Sequence, residues 1–246
     1  MDIEPLDPAP RQGSHRTILR QRWEQLTFLH WAVAPDLVAP LLPAGTRPDT
    51  LDGTTYVGLI AFRMVGVGLA RGPAVPYLGS FWETNVRLYS VDDAGRRAVV
   101  FRSLDASRLL PVLVARATLR LPYLWSAMRL ERDGDRRTYR CRRRWPGPAG
   151  ATSRMVVRVG GPIAEPTPLE HFLTARWALH TRAYGRTLHL PNWHPQWPLH
   201  RAELLHLDDE LVAAAGLPAP TGAPASVLYS PGVPVGFGPP ATAHRP

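Results

Sequence analysis

The chain has 246 residues, 45% of them hydrophobic, which suits one large or two small globular domains with a sizeable core, while 27 prolines argue against long helices. Its net charge of +9 rests on 29 basic residues, every one arginine, so no lysine Schiff base, lysine-held pyridoxal phosphate or Walker-type phosphate loop can form. No run reaches the roughly 18 apolar residues of a membrane span, the acidic, Pro-rich start is unlike a signal peptide, and a lone cysteine, Cys141, excludes an internal disulfide and fits a reducing cytoplasm.

Residues 1–16 read as a loose arm, 17–237 as a single domain and 238–246 as a tail. The aromatic-rich stretch 23–33 is predicted as a strand. Residues 35–42 form a short helix with Pro35 in its first turn, ended by Pro43. A strand over 54–65 is followed by a loop over 66–79, which holds four glycines and two prolines and is placed over a cavity. Stretches 81–91 and 97–103 form a hairpin joined by Asp92-Asp93-Ala94-Gly95. Ser103-Leu104-Asp105-Ala106 opens a helical run to about residue 115, and 116–121 and 138–145 are strands of a meander turning at Asp133-Gly134-Asp135. Residues 155–159 make a short strand. Thr167-Pro168-Leu169-Glu170 is the clearest helix start, with a cap, a proline at the first position and a capping-box glutamate. Strands over 187–190 and 199–207 flank a Pro- and Trp-rich elbow, 208–215 is a short helix stopped by Gly216, and 227–237 returns to the sheet. The fold class is α+β, mainly antiparallel β, with a few short covering helices.

One stretch carries the strongest functional signal. In Phe81-Trp82-Glu83-Thr84-Asn85-Val86-Arg87-Leu88-Tyr89, strand alternation puts Glu83, Asn85, Arg87 and Tyr89 on one face and Trp82, Thr84, Val86 and Leu88 on the other. An acid, an amide, a guanidinium and a phenol in a row can line a polar cavity. The competing expectation is a half-exposed strand with that face in water. In the cavity reading Arg87 grips a carboxylate or phosphate, Asn85 orients the ligand with Tyr89 nearby, and Glu83 or Asp105 acts as acid or base. Arg116 completes the pocket. Alternatively Glu83, Arg87, Asp105 and Arg116 form buried ion pairs that hold the sheet.

Several pieces occur in one order: Phe28-Leu29-His30-Trp31, Leu41-Leu42-Pro43, the 81–87 stretch, Ser103-Leu104-Asp105-Ala106, Leu121-Pro122-Tyr123, Phe172-Leu173-Thr174 with Arg176-Trp177, Trp197-Pro198-Leu199 and Tyr229-Ser230-Pro231-Gly232-Val233. In this combination the chain resembles the YqjF-like family of uncharacterised bacterial proteins over about residues 23–237. The resemblance implies an acetoacetate decarboxylase-like fold, a barrel-like β-structure enclosing a cavity, but not an established activity. Schiff-base decarboxylation is closed to a chain without lysine. What the resemblance leaves is binding or acid–base transformation of a small anionic or carbonyl-bearing ligand, of lyase, isomerase or hydratase type, or a non-catalytic ligand-binding or structural homo-oligomer.

Other constellations weigh less. His189, His194 and His200 stand five and six residues apart in the elbow, which suits aromatic packing rather than a metal site, and no metal or other cofactor is expected. His30 reads as core or cavity wall. The arginine run 136–144, with Tyr139 and Trp145, has the composition of a phosphate-backbone footprint, yet no nucleic-acid motif accompanies it. A solvated hairpin or a subunit contact is favoured over a nucleic-acid partner. Cys141 reads as structural.

Overall fold

The computed structural model describes residues 3–7, 16–70 and 72–244; parts of the expected arm and tail fall outside them. Residues 3–7 lie on the sheet, with Glu4 N–H donating to Gly95 C=O at 2.9 Å. Two long strands built from Trp, Leu, Phe, Val and Ile, β1 (Leu19–Val33) and β3 (Thr55–Leu69), pair antiparallel, with β2 (Thr46–Pro48) at the sheet edge. β3 continues through four residues of the loop predicted over 66–79. β4 (Phe81–Asp92) pairs with β3 and forms the predicted hairpin with β5 (Arg97–Ala106).

The expected helix at residue 103 is corrected. Ser103 to Ala106 stay in β5, laddered to β4 on one side and to β6 (Tyr123–Asp133) on the other. The polar residues that resembled a helix cap are buried strand residues. The helix α2 begins at Leu109 and runs Leu109–Leu119, so Arg116 sits on it and not on a strand; Arg120, at φ 53°, ends it. The meander continues through β7 (Arg136–Trp145) and β8 (Thr152–Pro162). It passes to β11 (His200–Asp209) and β12 (Ser226–Phe237), and β12 pairs with β1. The ladder therefore returns on itself through nine strands, β5-β6-β7-β8-β11-β12-β1-β3-β4 and back to β5, with only the β5–β6 step of this circuit parallel. A branch leaves β5 through β9 (Ala178–Ala183) and β10 (Arg186–Trp193), and β10 rejoins β12. Ala241–His244, expected to be tail, form β13 against β10.

Helices are short. α1 (Pro35–Val38) runs into a 3-10 turn, and α4 (Leu211–Ala214) is followed by Gly216 at φ +91°. α3 (Pro168–Thr174) carries the predicted capping box: Thr167 accepts from Glu170 N–H, and Glu170 accepts from Thr167 N–H at 2.7 Å. Both faces of β4 are covered. Val86 and Leu88 belong to a core with Leu29, Leu59, Cys141 and Val157; Phe81 and Tyr89, on the other face, lie among Phe28, Ile60, Trp197 and the α3 residues Phe172 and Leu173.

Candidate functional site

The polar face of β4 is not in water. Glu83 is 2% exposed, Asn85 4%, Arg87 9% and Tyr89 0%. Their β3 partners are Phe62, Ile60 and, at Arg87, Gly58. Gly58 leaves room for the His30 ring, since a Cβ there would fall 3.0 Å from His30 Cδ2.

Arg87 is held without a counter-charge. Its Nε donates to Tyr89 Oη at 3.2 Å and its Nη2 to the Leu173 carbonyl at 2.8 Å. The guanidinium lies 5.6 Å from the ring centroids of both Phe28 and Tyr89. Arg97 and Arg176 share Asp49, and Arg143 pairs with Asp105; among the described residues no carboxylate pairs with Arg87. Tyr89 donates to Leu173 C=O at 2.9 Å and stands 2.8 Å from His30 Nε2, so His30 gives its Nε2 proton to Tyr89 and its Nδ1 is left as an acceptor with no partner. Burial first, then the Arg87 and Arg176 charges, hold the His30 pKa well below its ordinary value. The Asn85 Oδ1 atom is likewise buried without a partner.

Glu83 accepts from the Tyr123 hydroxyl at 2.9 Å. Burial pushes its carboxyl up to about 7, against the lowering hydrogen bonds of Tyr123 and Asn85, with the Asp105 charge adding to the rise. Removing the phenol in Tyr123→Phe takes a donor from the charged form, so the Glu83 pKa should move above its native position. A carboxyl-carbon NMR titration of the variant against wild type checks this, and an unchanged or lower value contradicts it.

Two predicted site residues stand elsewhere. Asp105 faces the opposite side of β4's sheet, register partner of Thr84. It takes a two-point ion pair from Arg143 (Nε–Oδ1 2.9 Å, Nη2–Oδ2 2.8 Å) and a hydrogen bond from Ser126 at 2.7 Å. Both of its oxygens are engaged in these contacts, the ion-pair arrangement of the alternative expectation. Arg116, half-buried on α2, donates to the Tyr123 carbonyl at 2.8 Å, and among the described residues no hydrogen bond or ion pair joins it to Glu83 or Arg87. Cys141 is core, its thiol pKa driven far up by burial. In the arginine run, Arg136, Arg140, Arg142 and Arg144 are exposed on β7 while Arg143 points inward to Asp105.

A cleft of about 1120 Å³ lies to one side, lined by Arg20, Arg22, Val65, Trp193, His194 and Pro234 among others, and it takes in none of Glu83, Asn85 and Arg87. His194 connects the two places. Its Nδ1 lies 2.7 Å from the Pro195 carbonyl, and its ring is 4.5 Å from Trp177 and 4.6 Å from Trp197. Burial and the Arg87 charge lower its pKa to about 4, against the Pro195 carbonyl. Trp197 in turn packs edge-on to Phe28 at 5.4 Å. This is the aromatic corner expected of the elbow.

Sequence reasoning passed over Tyr123, although Leu121-Pro122-Tyr123 stood among the ordered pieces, and the part played by the Leu173 carbonyl, which no side-chain pattern reveals. It also missed His180. That residue joins His189 and Asp92 in a cluster whose ligand atoms lie within 4.8 Å of one another, the group among the described residues that could hold a metal ion. The signal was there: His180 and His189 are placed symmetrically about the Tyr184-Gly185 turn.

The sequence profile of the DUF2071 family, described as an uncharacterized conserved protein, matches residues 20–234. The uncharacterized protein YqjF of Bacillus subtilis (strain 168) is 30% identical over 208 residues, covering 84% of this chain and 85% of that protein. Among solved structures, the enduracididine biosynthesis enzyme MppR complexed with pyruvate superposes with a TM-score of 0.62 at 14% identity, over 95% of this chain and 93% of that one. An acetoacetate decarboxylase-like enzyme from Sphingomonas wittichii RW1 gives 0.59 at 16% identity, over 93% and 94%. Acetoacetate decarboxylase from Legionella pneumophila gives 0.58 at 15%, over 97% and 92%. At these identities the structural likeness establishes the fold alone.

Proposed function

The chain belongs to the DUF2071 family, and from that premise we propose that it binds a small carbonyl-bearing carboxylate on the Glu83–Arg87 face of β4 and moves a proton on it. The observation that carries this reading is Arg87: a buried cation with no carboxylate partner among the described residues, on the same strand face as a glutamate poised at about 7. A buried charge without a partner is costly, and a ligand carboxylate in the guanidinium fork supplies the counter-charge. Glu83, with a pKa near neutrality, both takes and returns a proton, which suits exchange at the carbon next to a carbonyl. The C–H bond breaks, Glu83 gains the proton, and the electron pair moves toward the carbonyl oxygen.

In this reading the ladder circuit through β12, β10, β9, β5, β4, β3 and β1 closes as a barrel-like wall around the face, and the ligand arrives by the cleft past His194 and Trp197. The pyruvate in MppR supports the ligand class by analogy of fold. With no lysine, the carbonyl is not held as a lysine imine.

A second reading has its own support: Arg87, Tyr89, Arg176 and Trp197 all donate to the last carbonyls of α3, those of Phe172, Leu173 and Thr174, so Arg87 also serves as a structural cap. Deuterium wash-in tests the catalytic half of the first reading. In D2O, the protein should exchange the methyl protons of pyruvate or of its longer 2-oxo and 3-oxo acid analogues faster than buffer, and Glu83→Gln should lose that exchange. Exchange at the buffer rate for every acid tested, with binding intact, contradicts the catalytic reading and leaves a binding protein.

A further inference from the structure

β9 and β10 form a hairpin in which His180 and His189 are direct register partners. His189 Nδ1 lies 3.2 Å from His180 Nε2, and that same Nε2 lies 3.4 Å from Oδ2 of Asp92, the last residue of β4. At its other nitrogen, His180 Nδ1 is 2.9 Å from Ser90 Oγ, whose own proton goes to the Ala98 carbonyl at 3.3 Å. With the Ser90 proton on the Ala98 carbonyl, Ser90 accepts the Nδ1 proton of His180, and Nε2 is an acceptor whose neighbours are His189 Nδ1 and Asp92 Oδ2. A His189 ring protonated on Nδ1 donates to His180 Nε2; protonated on its other nitrogen it turns a third acceptor toward the same place, and the three ligand atoms, all within 4.8 Å of one another, then suit a shared cation.

We propose that Asp92, His180 and His189 form a binding site for a divalent transition-metal cation, with Zn²⁺ the best-fitting ion. Two imidazoles and a carboxylate are the N/O donors such cations take. Ligands about 2.0 Å from a tetrahedral centre stand about 3.3 Å apart; two of the three separations, 3.2 and 3.4 Å, match, and the third pair lies within 4.8 Å. The surrounding groups are those of a prepared site. Ser90 fixes the His180 tautomer. Asp92 Oδ1 is anchored by the Ala94 and Arg96 backbone N–H groups at 3.0 and 2.9 Å. The Arg96 side chain holds Oδ2 from Nε at 2.8 Å and from Nη2 at 2.7 Å, which fixes the carboxylate beside the two imidazoles. His189 is half-buried, which gives the ion an entry and a water its fourth position.

The fold supplies a reason for the ion. β9 meets β5 through a single register pair, Val99 with Leu179, so the β9–β10 hairpin is lightly laddered to the β4–β5 hairpin. A cation held by Asp92 at the end of one hairpin and by His180 and His189 across the other ties the two together. This proposal is independent of the Glu83–Arg87 reading.

The test uses the full chain, stripped with chelator, dialysed and titrated with ZnCl₂ by calorimetry, with the visible absorption of Co²⁺ as a second readout. One Zn²⁺ per chain and a raised melting temperature are expected. His189→Gln, at the accessible ligand, should weaken binding by about 100-fold or more, and Ser90→Ala by about 10–100-fold through the lost tautomer control. His200→Gln, outside the cluster, should leave affinity unchanged. Absence of saturable binding to folded wild type, or equal affinity in folded His180→Gln and His189→Gln, overturns the proposal.

Discussion

Asp105→Asn should unfold about 10 °C below wild type. Asp105 is fully buried and Arg143 is 2% exposed, and the substitution leaves the guanidinium charged in the core without its two-point partner, with only the more distant Asp209 charge acting on it. Breaking a buried pair in this way costs roughly 3–5 kcal/mol, and in a chain of this size each kcal/mol moves the midpoint by about 2–4 °C. The size of the loss reflects the stranded charge more than the worth of the pair. Replacing both partners, Asp105→Leu with Arg143→Met, should recover most of it, less about 1 kcal/mol for the Ser126 hydroxyl left without its acceptor. Thermal melts of the single and double variants check both halves. A single variant that melts with wild type would show that Arg143 finds another partner, and would return Asp105 to consideration as a free carboxylate.

Glu83→Gln should do the reverse for stability, and in a pH-dependent way. The Glu83 carboxyl rises from 4.5 to about 7 on folding. Well below 4.5 it is protonated in both states and contributes nothing. Between 4.5 and 7 the unfolded chain ionises first, so the native state loses stability as pH rises. Above 7 the loss is complete, about 3 kcal/mol for a shift of this size. Glutamine cannot ionise and still accepts from Tyr123. The variant should therefore match wild type near pH 4 and exceed it by up to about 3 kcal/mol at pH 8, while losing its acid–base turnover by about 10²–10⁴-fold. Denaturant melts across the pH range measure the first and the deuterium exchange the second. A difference that is flat with pH means that Glu83 is ionised throughout, and proton transfer near neutrality then has no poised group. More stable and less active is the signature of a group kept for function.

Much of the frame is legible in the sequence because it rests on local rules. The β4 alternation, the Asp92-Asp93-Ala94-Gly95 turn and the Thr167 capping box each depend on a few adjacent residues, and each appears in the structure where the pattern places it. The failures come from long-range burial. Ser103 and Asp105 resemble a cap because polar residues near a helical run usually are one; here Ser126 and Arg143, 21 and 38 residues beyond Asp105, make that aspartate a strand residue. The same non-locality hides the site. Glu83, Asn85 and Arg87 were visible as a face, but that this face is buried depends on α3 and β1, and the absence of a carboxylate partner for Arg87 among the described residues depends on where every carboxylate goes. The pairing of His180 with His189 needs the β9–β10 register, and Asp92 joins them only through the hairpin end of β4.

The central claim is that Arg87 waits for a ligand carboxylate, and the direct measurement is calorimetric titration of pyruvate and its longer 2-oxo and 3-oxo acid analogues against the corresponding neutral amides, into wild type and into Arg87→Gln. Glutamine puts its amide nitrogen where Arg87 Nε stands and keeps the donor to Tyr89, which itself still donates to the Leu173 carbonyl, so α3 retains that part of its cap while the charge is gone. Saturable binding of at least one of these acids, absent for its amide and lost in folded Arg87→Gln, is the predicted result. Equal binding of acid and amide, equal affinity in the variant, or no binding of any acid to wild type contradicts it and leaves Arg87 as the cap of α3.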